Sequence, residues 1–252
     1  MTRKPITLLA LTALAVASVM ALTGCFLFGA GYDDDSDDGQ FKVIDDDSAA
    51  APLYITYVNR SDNADQPTIF VFAKNAIPGF DELADGVAWR VLPDIGKGSS
   101  SEFMVLPMCT VQATWGGVNR TQSLVAEVGK RYTVMEDDTG IVLVANGNAS
   151  QSNAIEISSE IHVPGGITAQ LLNDGKLLMQ KQIVAYGQKA SFVWERKLYW
   201  GIASEIWESQ LIGTAVLDST DFFEQDLDGI LGATVTLTGD AQSGYQFEVV
   251  ND

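Results

Sequence analysis

Beyond Pro52 the chain is dominated by apolar residues at every second position, and this rhythm limits what it can fold into more than any other feature. Cys109, Val111, Ala113 and Trp115 alternate with Thr110, Gln112 and Thr114. Ile155, Ile157 and Ile161 alternate with Glu156, Ser158 and Glu160, and Ala233, Val235 and Leu237 with three threonines. Tyr245, Phe247 and Val249 alternate with Gln246 and Glu248. A strand sends successive side chains to opposite faces, so such runs predict half-buried strands. Residues 69–72 and 141–144 are apolar throughout, which suits central strands covered on both faces. Turn chemistry separates the runs at Asp137-Asp138-Thr139-Gly140, Asn146-Gly147-Asn148, Pro164-Gly165-Gly166, Asn173-Asp174-Gly175 and Asp228-Gly229. Helical periodicity is confined to two short stretches, 80–84 and 219–225.

Many short strands with frequent turns predict an all-β fold of the sandwich type, with mostly antiparallel strands. A faint internal repeat divides the region. Residues 54–59 parallel 155–161, 69–75 parallel 167–173, 101–105 parallel 190–194, and 132–144 parallel 235–249, in the same order. We therefore expect two successive β-sandwich domains, 52–149 and 150–252, joined at the polar stretch 146–153.

The N-terminus carries a different message. Arg3 and Lys4 precede an apolar run, 6–21, broken only by Thr7, Thr12 and Ser18. The run is shorter than the roughly 20 residues a spanning helix needs, and small residues follow it, as in a secretory signal peptide. It ends at Leu22-Thr23-Gly24-Cys25, which resembles the lipobox of bacterial lipoproteins. The resemblance implies diacylation of the Cys25 thiol, cleavage after Gly24 and attachment to a membrane through lipid (residues 1–24 being the signal peptide). Two or three acyl chains, at about 0.8 kcal/mol per buried CH₂, make a durable anchor. The residue after Cys25 is Phe26 rather than Asp, which by the family's sorting rule implies the outer rather than the inner membrane of the cell envelope.

Residues 25–51 then form a tether. Eight of the fifteen residues 33–47 are Asp, a block that repels itself and cannot bury apolar surface, which predicts an extended, disordered segment. At about 3.3–3.6 Å per residue it could reach roughly 85–95 Å. Asp34, Ser36, Asp38, Gly39 and Asp45 match part of a calcium-loop spacing, but apolar linker rather than an amphipathic helix precedes them.

Of 33 acidic and 15 basic residues, the segment before Pro52 takes eight and three, leaving 25 and 12 and a formal charge of −13. Nucleic acid, which calls for a basic surface, is thereby disfavoured. With Cys25 committed to lipid, Cys109 is left single; its phase with Val111 and Ala113 predicts a buried, inert thiol.

Candidate chemistry is sparse. The one histidine, His162, falls in phase with polar Glu156, Ser158 and Glu160, so it is expected to be exposed; no nucleophile-elbow sequence accompanies it. Asp218, Asp221, Glu224, Asp226 and Asp228 crowd one loop, where oxygen ligands could hold calcium. Asp81, Glu82 and Asp85 form a weaker cluster. Among the aromatics of 192–207, Phe192, Trp194, Leu198, Trp200 and Ile202 share one strand face, the signature of a core strand. Tyr199 and Trp207 fall outside that phase and are the candidates for exposed rings that stack on sugars. These features favour a non-catalytic envelope protein that binds, adheres or assembles with a protein or glycan partner. A calcium- or carbohydrate-binding module comes second and an envelope hydrolase third.

Overall fold

The computed structural model describes residues 51–62, 67–217 and 220–252. It is nearly all β, with a single turn of α-helix at Glu82–Asp85 (α1) and a 3-10 turn at Ile212–Thr214. Four sheets pair into two sandwiches.

Sandwich I takes its strands from the two ends of the described chain. One sheet holds β1 (Leu53–Asn59), β4 (Ser100–Val105), β17 (Gly232–Asp240) and β18 (Gly244–Asn251), in the order β18-β17-β1-β4 with β1 and β17 parallel. The facing sheet is built on β2 (Thr68–Phe72) and β14 (Lys197–Glu205). It is flanked by β3 (Arg90–Leu92), β15 (Val216–Leu217) and β16 (Phe223–Asp226). Trp200 of β14 closes the space between the sheets, its ring centroid 6.2 Å from Tyr57, 5.9 Å from Phe103 and 6.0 Å from Phe247.

Sandwich II is the uninterrupted middle of the chain. It comprises β5 (Cys109–Trp115), β6 (Asn119–Arg120), β7 (Leu124–Ala126), β8 (Lys130–Asp137), β9 (Gly140–Asn148), β10 (Ile155–Ser159), β11 (Ile167–Asn173), β12 (Lys176–Val184) and β13 (Lys189–Phe192). Its sheets run β13-β10-β8-β9, with β8 and β10 parallel, and β12-β11-β5-β6, with β7 also on β5. Tyr132 of β8 reaches the other sheet, its hydroxyl donating to Val125 O at 2.7 Å and accepting from Glu127 N.

The two pairing schemes are the same scheme. β1, β4, β17 and β18 pair as β10, β13, β8 and β9 do, and β2, β3, β14, β15 and β16 as β11, β12, β5, β6 and β7. Backbone bonds fix the register of the match. Asn59 N donates to Ser99 O and Gly98 N to Asn59 O; Ser159 N donates to Gln188 O and Gly187 N to Ser159 O. The sequence repeat is thus a structural repeat.

The all-β sandwich class and the antiparallel majority are as expected, but the partition of strands is not in chain order. The first half of each repeat pairs with the second half of the other: β1 with β17 rather than β8, and β11 with β5 rather than β14. A boundary at 149/150 therefore cuts sandwich II between β9 and β10 instead of separating two sandwiches. Connector length accounts for this. Three residues separate β4 from β5 and four separate β13 from β14. So short a connector leaves little slack for folding back across the roughly 10 Å between sheets, and short hinges favour exchange. The crossings are clamped reciprocally. Asn75, past the end of β2, accepts from Val193 N and donates to Ser191 O. Asn173, at the end of β11, accepts from Leu106 N and donates to Leu106 O. Both side chains are buried, and one continuous apolar core runs through both sandwiches.

Three local expectations are corrected. Strand β9, which contains 141–144, lies at a sheet edge rather than the centre. Gly147, with φ +84°, sits within β9 and not in a turn. The helix expected at 219–225 gives way to β16, because Glu224 and Asp226 alternate with buried Gln225 and the segment pairs with β14.

Candidate functional site

The repeat provides an internal comparison: a position filled differently in the two sandwiches is one that the shared fold does not dictate. On the outer face of the parallel pair in sandwich I, Thr56 stands beside Thr234, and Val58 beside Ser100 and Thr236. The matching positions in sandwich II hold Glu156 beside Arg131, and Ser158 beside Lys189 and Thr133. Three neutral hydroxyl residues (Thr56, Thr234, Ser100) are thus replaced by a carboxylate and two cations.

The Glu156 side chain is 1% exposed, with Oε1 2.6 Å from Lys189 Nζ and Oε2 3.0 Å from Arg131 Nε. Ser150 covers it, its backbone N–H donating to the carboxylate and its hydroxyl accepting from Lys189 Nζ. Burial alone would raise the Glu156 pKa; the hydrogen bonds from Lys189, Ser150 N and Arg131 outweigh it and hold the group down at about 2. The cations remain 36% and 39% exposed. Burying charge stabilises little compared with a well-packed neutral alternative. Sandwich I has hydroxyl residues at the three matching positions and carries its carboxylate one strand over, on exposed Glu102 beside Thr56.

Above the triad lies a cleft of about 340 Å³, lined mainly by Arg131, Thr133, Ser158, Glu160, Gln188 and Lys189. Thr133 and Ser158 face each other with hydroxyls 3.0 Å apart. Two aromatic rings adjoin it in the chain: Tyr186 precedes Gly187 of the lining, and His162 follows Glu160 by two residues. Their rings stack at 4.0 Å with 14° between planes, and Tyr186 is 55% exposed. Near them Ile183, 71% exposed, adopts φ +58° at the irregularity in the β11–β12 pairing. That conformation is sterically costly for a β-branched residue.

The residues singled out from the sequence are distributed differently. Gly24, Cys25 and Asp218 lie outside the described residues, as does the calcium-like spacing at 34–45. Tyr199 is not an exposed ring but a buried one. The outer face of its sheet is covered by a second small core, so both faces of β14 are buried. Phe72 lies 5.4 Å from the Tyr199 ring, and Lys74 Nζ sits 3.8 Å over it. Its hydroxyl donates to Glu224, and burial followed by this contact raises its pKa. Trp207 is exposed, as expected, in a turn closed by Gln210.

Glu224 accepts from an ammonium and a phenol. One oxygen takes Lys197 Nζ at 2.6 Å and the other Tyr199, and these bonds lower its pKa. Asp226 accepts from Asp228 N, and Asp228 lies 3.6 Å from Arg196; Asp221 is exposed. Among the described residues no three His, Cys, Asp or Glu side chains are grouped to hold a metal ion. Asp81 caps α1, its carboxylate accepting from Leu83 N and Ala84 N. Cys109 is buried beside Asn173, and burial raises its pKa.

Arg131, Glu156 and Lys189 do not stand out in the sequence, because a charged residue in a period-two run reads as a solvent-facing one. The available signal was the mismatch of Thr56 with Glu156 within the repeat. Comparison of the chain with protein-family models, curated proteins and solved structures returned no match.

Proposed function

We propose that this is a lipid-anchored protein of the cell envelope that acts by binding, with the cleft of sandwich II as its ligand-facing surface. The observation that carries the binding role is the replacement of Thr56, Thr234 and Ser100 by Glu156, Arg131 and Lys189 at matching positions of one fold. Two cations fixed on one buried carboxylate under a polar cleft form a preorganised recognition surface. The charged run, the apolar stretch and Leu22-Thr23-Gly24-Cys25 support acylation at Cys25, and Phe26 supports the outer membrane. The tether leads into β1, a central strand of sandwich I. Sandwich I then serves as the mount and sandwich II as the binding module.

Crosslinking of full-length protein in its native envelope, followed by mass spectrometry, tests this against two variants: Cys25→Ala and the combined R131T, E156T, K189S. The expected result is an envelope protein or glycan captured by the wild type and lost from both, with labelled palmitate incorporated by the wild type and not by Cys25→Ala. Equal capture by the combined variant would remove the cleft from the account, and equal palmitate labelling would remove the anchor.

A further inference from the structure

We infer that the cleft of sandwich II takes an anionic saccharide, a sugar unit bearing a carboxylate or phosphate; this rests on the cleft being the binding surface proposed above. A space of about 340 Å³ lies at the lower end of ligand-pocket volumes, the size of one or two sugar units. Its lining is polar, whereas pockets for apolar ligands are mostly apolar. Thr133 and Ser158 supply hydroxyls, and Glu160 supplies an acceptor for sugar hydroxyls. Gln188 spends its carbonyl oxygen on Ala185 N, leaving the NH₂ group as donor.

The anionic group is assigned by the triad. Arg131 and Lys189 carry two positive charges and share the one carboxylate of Glu156. Glu160, the second carboxylate of the cleft, lies in the lining but pairs with neither, so two fixed cations stand beside it at the cleft floor. Glu156 holds both cations in place, which removes the ordering cost that flexible side chains otherwise incur on binding. Guanidinium and ammonium groups held this way suit carboxylate or phosphate oxygens. Tyr186, stacked on His162 beside the lining, offers a flat apolar surface for the C–H face of a sugar ring.

Isothermal titration calorimetry of the full-length protein in detergent, with trigalacturonate, glucose 6-phosphate and maltotriose as probes, tests the inference. At least one anionic probe should bind saturably and about tenfold or more tighter than maltotriose, the better of the two naming carboxylate or phosphate. The combined variant R131T, E156T, K189S puts the sandwich I residues Thr234, Thr56 and Ser100 at the three matching positions. It should keep the thermal midpoint within a few degrees and lose about tenfold or more in affinity. Lys189→Gln, which leaves Glu156 paired with Arg131, should lose affinity in the same direction and serves if the combined variant does not fold. Equal affinity for maltotriose, no saturable binding of any probe, or unchanged binding in the folded variants would each overturn the inference. If the probes fail while envelope capture still depends on the triad, the ligand class is wrong and the binding surface stands.

Discussion

Asn75 and Asn173 sit at matching places in the two repeats, and each grips the backbone of the strand that is crossing to the other sandwich. Their amides satisfy backbone groups that no ladder reaches. Replacing either by Ala leaves a buried N–H and C=O unpaired, and should cost about 1–3 kcal/mol in urea unfolding. Glu156 gives a prediction with a sign. Its folded pKa of about 2 lies below its ordinary 4.5, so its stabilisation is full above about pH 4.5 and drains away as pH falls toward 2. The amount is about 3 kcal/mol at most, and solvent screening at the two partly exposed cations lowers it further. Urea midpoints of wild type and Glu156→Gln should therefore lie furthest apart near neutral pH and converge in acid; a pH-independent gap would contradict this. Ile183 carries strain with no core contact to offset it, so Ile183→Gly should raise stability by about 1 kcal/mol.

At the scale of elements, β14 shows how two faces are buried at once. Phe70 lies across Gly201, and a Cβ at Gly201 would stand 2.3 Å from that ring. Gly201→Ala should thus destabilise by about 1–3 kcal/mol or more, seen as a lower thermal midpoint. Strands were the most legible part of the sequence, because alternation depends only on local geometry. Cys109 in β5 and the Asn173-Asp174-Gly175 hairpin follow directly from phase and turn chemistry; Asp174 and Gly175 take φ +50° and +69°. Tyr199 was misread because alternation assumes one wet face, and β14 has none. Glu156 is illegible for the converse reason: its burial depends on how the connector carrying Ser150 folds back over it and on cations from β8 and β13.

For the whole molecule, the repeat was visible in the sequence but the exchange was not, since either partner completes the same pairing scheme. Backbone pairing within a repeat and between repeats is equivalent, and the choice falls to the two short connectors and to side-chain pairs such as Arg131–Glu156, which only the exchanged arrangement brings together. A chain limited to 52–149 should accordingly lack partners for both of its halves. It should appear in size-exclusion chromatography as a strand-exchanged dimer or as unfolded chain, not as a folded monomer. The most direct test of the exchanged architecture is a backbone NOE map of the folded protein. The exchanged pairing requires cross-strand contacts of Tyr57 with Val235 and of Ile157 with Tyr132, as in the parallel ladders. Contacts of Tyr57 with Tyr132 and of Ile157 with Val235 would instead place each repeat in its own sandwich and contradict the account.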